Sequence, residues 1–92
     1  MKITTKTGFE CDVDVDRLDD WEFAKAAAAA STGRRGADAL NLTIFMVDHM
    51  LTKKDAERLQ KHVKTEDGRV PTSKMMSEIE DILMKINAAK NS

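Results

Sequence analysis

The stretch Lys2-Ile3-Thr4-Thr5-Lys6-Thr7-Gly8-Phe9-Glu10-Cys11-Asp12-Val13-Asp14-Val15-Asp16 decides the fold class. Phe9, Cys11, Val13 and Val15 alternate with Glu10, Asp12, Asp14 and Asp16. Successive side chains of a strand point to opposite faces, so this pattern gives one dry face and one acidic face. Lys2 to Thr5 supplies the partner strand, with Ile3 on the dry side. Lys6-Thr7-Gly8 is the turn, because Gly8 can take the positive φ of a short hairpin loop. A lone hairpin is marginal in water, so it must lie on something.

The rest of the chain reads as helical. Asp16 is the expected N-cap of a first helix that includes Leu18 and Trp21, with Asp19 and Asp20 favourable at its positive end. The alanines at 26–30 favour helix strongly but bury little area. The segment Ser31-Thr32-Gly33-Arg34-Arg35-Gly36 breaks the chain before a second helix from about Ala37 to Leu51. Leu40, Ile44, Val47 and Leu51 share one of its faces, and Leu42, Phe45, Met46 and His49 another. A helix apolar nearly all round is normally buried, which here asks for a central position or a second chain.

Thr52 and Asp55 have the spacing of a capping box for a third helix reaching about Lys64, with Leu59 and Val63 in its seam. Glu57 and Lys61 form a favourable i,i+4 pair. Glu66-Asp67-Gly68-Arg69 is a turn, and Pro71 precedes a fourth helix capped by Thr72 or Ser73. Met75, Met76, Ile79, Ile82, Leu83 and Ile86 form its apolar stripe, with Asp81 and Lys85 outside. Residues 88–92 read as a polar, flexible tail. The expected architecture is α+β: an N-terminal hairpin (1–15) packed on about four helices (16–87), in one domain spanning 1–92.

Composition excludes several function classes. Of 92 residues, 41% are hydrophobic and 34% charged, which is a globular balance. Fifteen basic and sixteen acidic residues nearly cancel, so no global field draws nucleic acid or an anionic membrane. One cysteine excludes an internal disulfide and fits a reducing cytoplasm. No apolar leader or membrane span is expected.

No motif fixes a chemistry. Asp12, Asp14 and Asp16 resemble a calcium loop, but Arg17 and Phe23 stand where its Gly and Glu belong. Cys11, His49 and His62 lie on separate elements without metal-ligand spacing. Gly33-Arg34-Arg35-Gly36 lacks the P-loop pattern. Lys53 and Lys54, with Arg34 and Arg35, leave a DNA-binding regulator as an alternative. Catalytic, cofactor-binding and metal-binding residues are therefore expected to be none. Six methionines are the stronger signal. Met is adaptable and over-used on surfaces that fit several partners. The expected protein-binding residues are Leu42, Phe45, Met46, Met50, Met75, Met76, Ile79 and Leu83.

The order of features resembles the small tail assembly chaperones of long-tailed (siphovirus-like) phages and prophages. The likeness rests on residues 2–11, on Leu18-Asp19-Asp20-Trp21-Glu22-Phe23, on the apolar second helix, on Glu66-Asp67-Gly68-Arg69-Val70 and on Lys90-Asn91-Ser92. The alanines at 26–30 depart from the larger residues of that pattern. The resemblance implies a cytoplasmic, non-enzymatic factor of the bacterial host cell, absent from the mature virion. It implies binding to the tape measure protein, recruitment of tail tube protein and self-association. A small phage adaptor is a second alternative.

Overall fold

The computed structural model describes residues 1–31 and 37–90. Strands β1 (Lys2–Thr4) and β2 (Glu10–Asp12) pair antiparallel, with Lys2 opposite Asp12, Ile3 opposite Cys11 and Thr4 opposite Glu10. Ile3 and Cys11 face the core, as the period-two pattern requires. Gly8 has φ +91°, and its N–H donates to Thr5 O while the Thr5 N–H reaches Phe9 O. The Phe9 N–H also donates to Thr5 Oγ1. The same bonds recur at Thr65, Gly68 (φ +88°) and Arg69. A Thr-x-x-Gly turn is thus used twice, once to close the hairpin and once to join two helices.

The helical part differs from expectation at its start. Instead of one helix from Asp16, there is a single turn, α1 (Val15–Leu18), then α2 (Trp21–Ser31). Asp14, not Asp16, caps α1, accepting the Asp16 N–H at 3.0 Å. Asp20 accepts the Glu22 N–H at 3.1 Å and starts α2. Short carboxylates offer the backbone this local alternative to a continuous ladder. Because α1 already starts at Val15, β2 ends at Asp12 and Val15 is exposed, while Val13 is fully buried.

Helix α3 spans Ala37–Met50, and α4 spans Lys53–Val63. Thr52 caps α4 by accepting the Asp55 N–H at 3.1 Å. Asp55 itself pairs with Arg58 at 2.7 Å, and Glu57–Lys61 is not an ion pair among the described residues. Helix α5 spans Thr72–Lys90. Thr72 and Ser73 therefore lie inside its first turn, and the Pro71 carbonyl accepts its first bond from Met75. It also continues past Ile86, because Ala88 and Ala89 favour helix. The expected tail from residue 88 thus begins as helix, and residues 91–92 lie outside the described ones.

β1 packs on α5, α2 packs chiefly on α3, and α3 also meets α1, α4 and α5. One apolar cluster runs through all of them, from Ile3, Phe9 and Val13 through Leu18 and Phe23 to Met46, Met50, Leu59, Ile79, Ile82 and Ile86. Leu59, Ile79, Ile82 and Val13 are the largest fully enclosed side chains. Each stabilises the fold by about 1.5–3 kcal/mol relative to exposure.

Candidate protein-binding surface

Helix α3 is apolar on more sides than the fold covers. Met46, Met50 and the following Leu51 point inward and are buried. Leu40, Ile44 and Phe45 remain 44%, 50% and 37% exposed. Leu40 and Ile44 are one turn apart, so they form a ridge, with Phe45 beside it. Trp21, at the first position of α2, is 74% exposed. Single exposed apolar residues are ordinary, but a run of large ones on one side marks an interaction surface.

His49 ties this surface together. Its ring stacks on Phe45 at 5.0 Å between centroids and on Phe23 at 5.8 Å. Its Nε2 meets Asp20 Oδ2 at 2.6 Å. The Glu22 N–H first, and His49 second, hold the Asp20 carboxyl below its usual range. Asp20 thus does two jobs: it starts α2 and fixes that start against α3. This places Trp21 one residue from an anchor that reaches the Phe45 ring through His49.

Of the eight residues expected to bind protein, only Phe45 is exposed. Met46, Met50 and Ile79 fill the chain's own core and offer no surface to a partner. Leu42, Met75 and Leu83 are half-buried against that core, and Met76 is half-buried. The stripe of α5 is accordingly spent on the fold. Residues absent from that expectation, Trp21, Leu40 and Ile44, make up the rest of the open surface. The signal for Leu40 and Ile44 was the all-round apolar character of residues 40–51; Trp21, at the start of α2, had none.

A second cluster, of polar groups, joins the hairpin turn to α4 and α5. The Lys6 N–H donates to Asp81 Oδ2 at 2.8 Å, and Lys85 Nζ holds both Asp81 oxygens at 2.8 and 3.0 Å. Asp81 is only 8% exposed, contrary to its expected outward position. The hairpin turn covers it. Lys85 first, then the Lys6 N–H, hold its carboxyl below the usual range. The Thr7 hydroxyl donates to Glu78 Oε1. Thr5 Oγ1 at 3.2 Å and His62 Nε2 at 2.9 Å are also within hydrogen-bond reach of it. Glu78 is buried, and its Oε2 has no partner among the described residues. This network latches the hairpin to the helices across more than 50 residues of chain.

Cys11 is buried beneath the sheet, and burial pushes its thiol up to about 11. A thiolate is therefore scarce there at neutral pH. Among the described residues, no three His, Cys, Asp or Glu side chains are grouped to hold a metal ion. No helix among them is long and apolar enough to cross a membrane. The Gly33-Arg34-Arg35-Gly36 segment lies outside the described residues. No protein family, curated protein or solved structure matches this chain.

Proposed function

We propose that this protein is a holding factor for other protein chains, and specifically a phage tail assembly chaperone. In this reading it binds the tape measure protein in the host cytoplasm and helps recruit tail tube protein. It is then left out of the finished virion. The observation that carries the proposal is the open apolar face of α3, Leu40, Ile44 and Phe45, together with the exposed Trp21, which follows the Asp20 anchor to His49. A chain of 92 residues with a complete core has no need to leave these side chains in water. Their burial by a client offsets the cost of exposing them, and a surface of modest contacts lets the client go again. The client's identity rests on the resemblance of the sequence.

Co-expression tests the reading. The tape measure protein is expected to stay in the soluble fraction with the wild-type chain and to pellet without it. Equal insolubility in both cases overturns the proposal. The same reading expects self-association, and light scattering that gives a monomer at high concentration removes that part.

The exposed basic side of α4, with Lys53, Lys54, Arg58, Lys61 and Lys64, favours a second reading as a DNA-binding regulator. A gel shift whose affinity falls steeply with salt supports that reading and counts against the chaperone.

A further inference from the structure

The open apolar surface has an acidic border. Asp16 lies in the first turn of α1 and Asp19 follows its end, Glu22 follows Trp21, and Asp48 lies one turn after Ile44; all four are exposed. Asp20 adds a fifth carboxylate, engaged by His49. Two basic side chains among the described residues, Lys25 and Arg17, stand beside them, and both are occupied. Lys25 pairs with Glu22 at 3.2 Å, and the Arg17 guanidinium donates to the Asp48 carbonyl at 3.5 Å. That last bond also brings α1 to the end of α3. Among the described residues no ion pair engages Asp16, Asp19 or Asp48.

We infer that this surface takes a basic amphipathic helix of a partner protein. Large apolar side chains of that helix would cover Trp21, Ile44 and Phe45, while its lysines or arginines meet Asp16, Asp19 and Asp48. The inference rests on the proposed protein-holding function and names the chemistry of the client segment. An acidic or neutral helix would bring carboxylates or nothing to three unpaired charges. A second copy of this chain fits poorly. Its basic helix, α4, has Leu59 and Val63 already buried, so it has no apolar anchors to give.

Trp21 is the only tryptophan in the chain, so its fluorescence reports the surface directly. The probes are three synthetic helical peptides of about 18 residues, five turns of helix. One has a leucine face and a lysine face, the second leucine and glutamate, the third serine and lysine. The first is expected to shift Trp21 emission to the blue and to bind about tenfold tighter than the second at low salt. That gap closes by about 1 M salt, where screening reaches about 3 Å. Asp19→Asn with Asp48→Asn should weaken the first peptide about threefold or more and flatten its salt dependence. Ile44→Ser should weaken it while far-UV circular dichroism stays unchanged.

Equal binding of the first two peptides, equal binding of the first and third, or an absent blue shift overturns the inference. The two proposals separate cleanly. If Ile44→Ser and the double Asn variant both keep the tape measure protein soluble, this docking surface is wrong and the chaperone stands. If the peptide preference holds but the tape measure protein is never solubilised, the surface stands and the named client is wrong.

Discussion

Asp81→Ala should be among the most damaging single changes in this protein, although the residue is charged and stands outside the apolar core cluster. Two interactions are lost. The first is the bond from the Lys6 N–H at 2.8 Å, made to a charged acceptor at a part-buried site. Bonds of that kind contribute about 1.5–3 kcal/mol, and alanine also leaves the Lys6 N–H without its partner. The second is the pair with Lys85, whose side chain is 39% exposed. Solvent screening limits that pair to about 0.2–1 kcal/mol. The sum is about 2–4 kcal/mol, against about 5–14 kcal/mol for a domain of this length. Asp81→Asn separates the two, because its amide oxygen still accepts from Lys6 while the charge is gone. It should cost about 1 kcal/mol. Urea unfolding reads both, with the alanine midpoint falling by about 1–2 M.

The pH dependence has a fixed sign. The folded Asp81 carboxyl is held below its ordinary 3.8, so its stabilisation is complete above that value and disappears as pH falls through the folded pKa. Wild type should therefore exceed Asp81→Asn at about pH 6 and approach it near about pH 2. Three results would refute the reasoning: an alanine variant within about 0.5 kcal/mol of wild type, equal losses for alanine and asparagine, or a wild-type advantage unchanged in acid.

Other consequences are open to measurement. A thiol reagent at about pH 8 should label Cys11 in the folded protein about 100-fold more slowly than a free thiol, from the rise of 9.0 to about 11 alone; rapid labelling without unfolding removes the buried assignment. Gly8→Ala and Gly68→Ala should each destabilise by about 1 kcal/mol or more, because both sites require positive φ although neither is crowded. An unaffected melting temperature for either would contradict its turn geometry. Leu59→Ala should cost about 2–5 kcal/mol, and Ile44→Ser under about 0.5 kcal/mol. Reversed costs in denaturant titration would mean that α3 presents its other face.

Some of this structure was legible in residue order alone. The alternation of residues 9–13 set the hairpin register, Gly8 set its turn, and Thr52 set the start of α4, because each depends on neighbours within a few residues. The break before Trp21 was not legible. Asp14, Asp16 and Asp20 are equivalent caps in sequence, and the structure gives Asp20 a distant partner, His49, that the others lack. The burial of Asp81 was hidden for the same reason, since its acceptor role is defined by Lys6, 75 residues away. Met46, Met50 and Ile79 were misplaced at the surface because an apolar stripe states only that something covers it. Whether that cover is the chain itself is decided by packing. The same ambiguity concealed Leu40 and Ile44, which the fold leaves open.

The alanines of α2 carry one last consequence. This helix rests chiefly on α3, and it does so largely through Phe23, Ala26 and Ala27, of which two are among the smallest side chains available. Small contacts give small adhesion, so α2 should detach before the rest of the molecule unfolds. Amide hydrogen exchange along residues 24–29 is then expected to outpace that of residues 79–86 on α5. Trp21 is thus mounted at the pinned end of a helix whose remainder is held by small contacts. A client that grips it also closes the weakest seam, so capture would be accompanied by slower exchange in α2 itself.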